Sequence, residues 1–478
     1  MTSSPNILFL MADQLRADVL RPEHPCVAPN LKGLAARGVS FARAYTPNAV
    51  CSPARASLMT GLLPHNHGVL EVTHCVDDDQ CCLRTDRAHW AQRLQSSGYR
   101  TGYFGKWHVE RSHELERFGW AVNGESSTPA AQARMKARQA TPETPALRSR
   151  AVTGPAEGYA PARFFGVQDG TKSQRQLEVA TEMGVEFIRE AAGRGGPWCC
   201  FVSCLMPHDP FFCTAADRAL YDAEALPLPP NAHDPMADKP GLYRKSARAF
   251  ADLTDAERRE AMACYFGTVT QIDREYGRLL RAVADAGAAE NTLVVLTTDH
   301  GEFLGAHGLY CKNIGAFEEA YRIPIIVAGP GVARGAVSAA RVGLHDLCPT
   351  LLELAGAEPI PSPDSRSFAG VLRNPAGVAG PDAGLAEYYG SRYRLTQFVY
   401  WEGDWKLVHN GFDFDELYNL RDDPYELTNL AGRAECAPAL RRLTSGLWRR
   451  LRETGERSVV NASYPPLRLA PFGPGLTD

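Results

Sequence analysis

The 478-residue sequence has no long apolar run and no excess of charge of one sign. Its first apolar stretch, Ile7 to Ala12, is stopped by Asp13 and has no basic lead or cleavage site. That is too short for a membrane span or a signal peptide, so the stretch reads as a buried strand and a cytoplasmic location is expected. Lys and Arg number 51 against 55 Asp and Glu, a formal net charge of −4 that offers no global attraction for nucleic acid or acidic membranes. Neither is expected as a partner, and any anion site must be local. A cysteine pairing pattern is also missing: thirteen is odd, and the adjacent Cys81-Cys82 and Cys199-Cys200 fit neither a disulfide framework nor a zinc ribbon. Reduced thiols follow. With no internal repeat and no low-complexity tract, a binding array is excluded.

What is present is an alternation of buried strands and amphipathic helices. The length predicts a large α/β domain over 1–365 and a smaller one over 366–478, divided near Pro359, Pro361 and Pro363. Strands are predicted at Ile7 to Met11, Tyr99 to Phe104, Trp198 to Leu205, Leu293 to Thr298 and Pro324 to Ala328, with helices at Pro29 to Gly38, Ala88 to Gly98, Leu177 to Ala192, Asp255 to Ala286 and Asp346 to Ala355. Residues 112–174 are weakly periodic and rich in Pro, Ala, Gly and Ser, which predicts an irregular insertion over the active face. Residues 209–250 read as a second, Pro-rich excursion. Short antiparallel strands and a helix from Cys436 to Thr454 are expected at the C-terminal end.

Several of these strands end in polar groups. Ile7 to Met11 runs into Asp13-Gln14, Trp198 to Leu205 into His208-Asp209, and Leu293 to Thr298 into Asp299-His300. In an open parallel sheet such ends converge on one edge, where function collects, and two oxygen-rich pairs there suit a divalent cation. The stretch Cys51-Ser52-Pro53-Ala54-Arg55 adds a thiol at a predicted helix N-terminus, where free N–H groups favour negative charge, and an arginine beside it.

Cys51, Pro53, Arg55 and the trailing Thr60-Gly61 resemble the signature of the type I sulfatases, in which this cysteine is oxidised to formylglycine, an aldehyde whose hydrate is the nucleophile. Many members carry Ser where Ala54 stands, Asp where Gln14 stands and Asn where His300 stands. The resemblance implies an alkaline-phosphatase-like α/β fold with a mixed, mostly parallel sheet and a C-terminal α+β subdomain. It implies a metal site of Asp13, Gln14, Asp299, His300 and the modified Cys51, holding Ca²⁺ first, with Mg²⁺ or Mn²⁺ as alternatives. Lys106 and His108 of Gly105-Lys106-Trp107-His108, together with His208 and Lys312, match the family's lysines and histidines. The block Glu416-Leu417-Tyr418-Asn419-Leu420 resembles its C-terminal domain.

On that resemblance the expected activity is hydrolysis of a sulfate monoester. Lys106, Lys312 and Arg55 would orient the anionic oxygens, Asp299 would serve as base, His208 as acid and His108 as the base that releases sulfate. The expected partners are a sulfated small molecule or carbohydrate and, during maturation, a formylglycine-generating enzyme, with a homo-oligomer also considered. Phosphonate monoester or phosphodiester hydrolysis is the rival activity, against which the Lys106–His108 pair argues. A non-catalytic anion binder is the third reading. His67, His307, Glu302 and Arg322 lie near these motifs and are read as structural.

Overall fold

The computed structural model describes residues 4–475 except 78–81, 85, 140–141, 154–156, 313, 379, 392–393 and 461–467, so Cys81 lies outside the described residues. Its centre is the strand Asn6–Asp13, buried along all eight residues. Both neighbours, Trp198–Pro207 and Thr292–Thr298, run parallel to it. Alternate residues serve opposite faces, as the pleat requires. Leu8, Leu10 and Ala12 pack under the helices Lys172–Arg194 and Asp255–Asp285, while Ile7, Phe9 and Met11 pack with Ala54 and Leu58 of the helix Cys51–Thr60 and Leu351 of Leu347–Ala355.

The described part of this sheet has eight strands, in the order Ala336–Gly343, Val39–Tyr45, Ile325–Ala328, Thr292–Thr298, Asn6–Asp13, Trp198–Pro207, Arg100–Gly105 and Val122–Glu125. Pairing is parallel except at Ile325–Ala328, which is antiparallel to both its neighbours. The fold is therefore the expected mixed, mostly parallel α/β sheet. A four-stranded antiparallel sheet, Ala383–Gly390, Arg394–Glu402, Trp405–Asn410 and Glu416–Asn419, follows it, and the helix Ala437–Thr454 packs on this sheet through Leu443, Leu447 and Trp448.

The stretch 112–174 differs from the expected irregular insertion. It supplies the edge strand Val122–Glu125 and the helix Pro129–Arg138, then the strands Leu147–Val152 and Ala162–Val167, which form a second sheet with Phe211–Cys213. Its polar composition reflects one exposed face: Leu147–Val152 has no buried residue, so no apolar alternation betrays it. Beyond the proline-rich stretch, Phe368, Val371 and Leu372 still pack on the large sheet.

A buried ionic cluster ties the small sheet to the large one. Lys406, fully buried, donates to Glu426 at 2.7 Å and lies 3.5 Å from Glu318, which also accepts from Tyr45 Oη and Trp401 Nε1 at 3.0 Å each. Glu318 opens the helical turn Glu318–Tyr321, shortly after Lys312.

Gly105 ends its strand at φ 96°, and a Cβ there would lie 1.9 Å from the Ser203 carbonyl oxygen, which accepts from Lys106 N at 3.0 Å. Gly105→Ala is expected to destabilise the protein by more than about 2 kcal/mol, because strain and a backbone clash act together. Thermal unfolding checks this, and an unchanged Tm would show that the strand end yields without resistance.

Candidate active site

The register explains why distant residues meet. Ala12 pairs with Thr298 and Asp13 with Pro207, so Asp13, Asp299 and His208 leave adjacent strands at one edge. Lys106 follows Gly105 on the next strand. The helix that carries Cys51 starts on that residue, with Ala54 N donating to the Val50 carbonyl at 3.1 Å. Pro53 sits in the first turn, where an N–H has no helical partner to lose. All ten residues of this helix are buried, and Gly61 closes it at φ 71°.

Cys51 Sγ lies 3.2 Å from His300 Nε2 and 3.7 Å from Asp13 Oδ1. Ligand-type atoms of Asp13, Cys51, Asp299 and His300 all lie within 4.8 Å of one another. His300 Nδ1 is 2.9 Å from the Gly301 carbonyl, which holds a proton on Nδ1 and turns Nε2 to the cluster, where it can serve as a ligand once deprotonated. Two carboxylates and a free imidazole nitrogen fit a divalent cation. Hard oxygens suit Ca²⁺ or Mg²⁺, and the nitrogen widens the choice toward Mn²⁺.

Arg55 binds both carboxylates, with Nε 2.8 Å from Asp299 Oδ2 and Nη2 3.1 Å from Asp13 Oδ2, and its Nη1 reaches Ser203 Oγ at 2.9 Å. Lys106 Nζ contacts Asp13 as well. Burial and the Cys51 sulfur act to raise the Asp13 pKa, but Lys106, His208 and Arg55 outweigh them and hold it well below the usual carboxylate range. Burial also opposes ionisation of the Cys51 thiol, yet Lys106, Lys312, His300 and His108 bring its pKa well below that of an ordinary thiol. Residue 51 thus sits where negative charge is stabilised.

Lys312 Nζ meets His208 Nε2, and His208 Nδ1 donates to the Asp209 carbonyl at 2.7 Å. Burial and Lys312 work against a protonated His208, but the Asp209 and Asp13 carboxylates prevail and raise its pKa. His108, at φ 57°, is 2.8 Å from His74 Nδ1 through Nε2, and burial with nearby Lys106 pushes it down to about 4. His108 is therefore neutral at neutral pH. Gln14, at φ 70°, turns its amide nitrogen to Glu302 at 2.5 Å and Asp209 at 3.2 Å, while its oxygen lies 3.4 Å from Lys312.

The structure brings all ten sequence-predicted site residues to this one edge. It adds Ser203, Asp209, Glu302 and His74. Asp209 and Glu302 carried a signal, adjacency to His208 and His300, whereas Ser203 and His74 carried none. His67 accepts from Val69 N at 3.1 Å and meets Ser57 Oγ at 2.9 Å, and His307 stacks on Phe317 with ring centroids 3.7 Å apart. Both are parts of the packing.

Comparison with known proteins decides the family: the sulfatase family model matches residues 5–357, about three quarters of the chain. The chain belongs to the sulfatase family. A second model, the C-terminal part of N-sulphoglucosamine sulphohydrolase, matches residues 305–454 of this sulfatase. A choline-sulfatase of Rhizobium meliloti is 30% identical to it over 455 residues, 90% of this chain and 83% of the relative. An N-acetylglucosamine-6-O-sulfatase of Bacteroides thetaiotaomicron is 24% identical, over 91% and 84% of the two chains. In fold, the sulfatase superposes on a phosphonate monoester hydrolase from Silicibacter pomeroyi with a TM-score of 0.77 at 24% identity, covering 95% of this chain and 97% of the other. That likeness shows that the two chains share this mixed α/β fold.

Proposed function

We propose that this sulfatase hydrolyses the sulfate monoester of a hydroxyl-rich alcohol, a sulfated sugar, with Cys51 converted to formylglycine by a maturation enzyme and a divalent cation, Ca²⁺ first, at Asp13, Gln14, Asp299 and His300. The observation that carries the reading is the setting of Cys51, whose sulfur is buried among Lys106, Lys312, His300 and His108 and beside two carboxylates. When bound, the cation supplies a Lewis acid that lowers the pKa of an oxygen at residue 51 and neutralises sulfate charge. The aldehyde hydrate supplies two hydroxyls, one to attack sulfur and one to release sulfate afterwards.

The chain's own groups then have distinct tasks. Lys106 and Lys312 flank residue 51 and hold the sulfate oxygens, while Arg55 keeps both carboxylates in place. Asp299 accepts the proton of the attacking hydroxyl. The His208–Lys312 pair delivers a proton to the leaving oxygen, supported by the raised pKa of His208. Neutral His108 takes the proton of the second hydroxyl, supported by its lowered pKa. The twelve described cysteines are free thiols, which supports a reducing compartment such as the cytoplasm. No described helix is long and apolar enough to cross a membrane.

The substrate class rests on a cleft of about 520 Å³ beside Lys106, His108 and Ser203. Its walls include His74, Glu110, Arg111, Ser126 and Gln176, and Gln176 Oε1 is buried without a hydrogen-bond partner. Hydroxyl groups would satisfy such a lining. A quaternary ammonium is held by open aromatic faces, but Trp107, the indole in this wall, is 1% exposed. The name of the N-acetylglucosamine-6-O-sulfatase relative supports a sugar, and that of the choline-sulfatase relative supplies the contrasting probe.

His208→Ala tests the acid role. A sugar leaves as a basic alkoxide and 4-nitrophenol as a stable phenolate, so kcat/KM should fall about 10²–10⁴-fold for a sugar sulfate and far less for 4-nitrophenyl sulfate. Equal losses would make His208 a sulfate-binding group only. In the wild type, glucosamine 6-sulfate should be turned over in preference to choline sulfate, and a phenylphosphonate monoester should be the poorer substrate against 4-nitrophenyl sulfate. Preference for the phosphonate would overturn the sulfate assignment.

A further inference from the structure

Gln14 stands at a place where an amide can be turned either way, and its rotamer decides whether an oxygen or an NH₂ faces the site. Two carboxylates settle the matter. Gln14 Nε2 is 2.5 Å from Glu302 Oε2 and 3.2 Å from Asp209 Oδ1, and only the NH₂ end can donate to both. The oxygen is thereby left toward Lys312 Nζ at 3.4 Å.

Glu302 is itself immobile. It is fully buried, and its other oxygen accepts from Leu304 N at 2.8 Å and Cys311 N at 2.7 Å. Arg16 Nη1 donates to the Glu302 carbonyl at 3.0 Å and to that of Phe303 at 2.8 Å, which pins the backbone of the same turn. The Gln14 backbone is fixed as well, since its N–H donates to Asp299 Oδ1 at 3.1 Å and its carbonyl accepts from Tyr265 Oη at 2.7 Å. With both ends anchored, the amide's own contacts decide how it points, and the bond to Glu302, at 2.5 Å against 3.2 Å to Asp209 and 3.4 Å to Lys312, is the shortest of them.

We propose that Glu302 is a positioning residue that locks the Gln14 amide with Oε1 presented to Lys312 and to the cation site. The inference rests on reading Asp13, Asp299 and His300 as that site. In Glu302→Gln the new side chain keeps an oxygen for the two backbone N–H groups, so its NH₂ must face the NH₂ of Gln14. Donor meets donor, and the Gln14 amide turns over. A nitrogen then replaces the oxygen on the cation side.

The test is calcium titration by calorimetry of the chelator-treated full chain as wild type, Glu302→Gln, Gln14→Ala and the double variant. Glu302→Gln should weaken binding about 10–100-fold, the range for loss of a group that orients a ligand. In the Gln14→Ala background the same change should add nothing, because the amide it orients is gone. An unchanged affinity in Glu302→Gln, or an equal further loss in the double variant, overturns the proposal. Glu302→Asp, which keeps the charge and shortens the reach, should give a smaller loss that also vanishes in the Gln14→Ala background. If Glu302→Gln does not fold, this variant decides by the same two criteria. A wild type that binds no calcium, magnesium or manganese would instead sink the cation reading, and a wild type that binds calcium but turns over no sulfate ester would sink the hydrolase reading alone.

Discussion

Cys51→Ala is expected to lower turnover of any sulfate ester by a factor on the order of 10⁴ or more while leaving the unfolding temperature nearly unchanged. The size follows from losing a nucleophile whose partners act only through it, so that Lys106, His108, His208 and Lys312 have no reacting group left to serve. The small effect on stability follows from size: Cys51 is 1% exposed, but alanine removes only one sulfur atom and still fits the first turn of the helix. The fall should be equally deep for aryl and sugar sulfates, unlike that of His208→Ala. Peptide mass spectrometry of active wild type should find an aldehyde in place of the thiol. Full activity in protein whose Cys51 is wholly unmodified would refute the mechanism.

The second large effect is expected at the two carboxylates. Asp13→Ala and Asp299→Ala should each lose the bound cation and activity together, since each removes a negative charge and an oxygen ligand from a cluster that spans 4.8 Å. They should differ in stability. Asp13 faces both Arg55, at 3.1 Å, and Lys106, so its removal leaves Lys106 without this carboxylate while Arg55 keeps Asp299. Breaking such a buried pair costs about 3–5 kcal/mol. Asp299 has Arg55 at 2.8 Å and His300 at 3.8 Å but no lysine, and the guanidinium keeps Asp13 when it goes. Asp13→Ala should therefore unfold at the lower temperature of the two, and metal analysis of both purified variants should find no stoichiometric ion. Undiminished metal content in either would remove that carboxylate from the site.

Asp13, His208, Asp299 and His300 were legible because they follow apolar runs and Cys51 because it starts a helix, whereas Arg55, Lys106 and Lys312 were legible through the resemblance to the sulfatase motifs. In a parallel sheet those ends share an edge, so one-dimensional position translates into spatial proximity. The strand Ala336–Gly343 was not legible: its burial alternates weakly, with Ser338 and Arg341 among its buried positions. Leu147–Val152 escaped for the opposite reason, because nothing along it is buried, so no apolar alternation marks its pairing with Ala162–Val167.

By itself the sequence determined the alternation of strand and helix, the edge on which polar residues gather and the identity of the groups found there, because hydrophobic periodicity and strand polarity are local properties. It could not determine orientation. Whether Gln14 presents oxygen or nitrogen depends on Glu302 and Asp209, which lie 288 and 195 residues away. Whether Asp13 is ionised depends on Lys106, His208 and Arg55 converging on it in a buried site. On the proposed function, which alcohol fits depends on a cleft assembled from residues 73–74, 106–113, 125–126, 176 and 203–205. Each is a through-space interaction across a low-dielectric interior, and only the packed chain sets those distances.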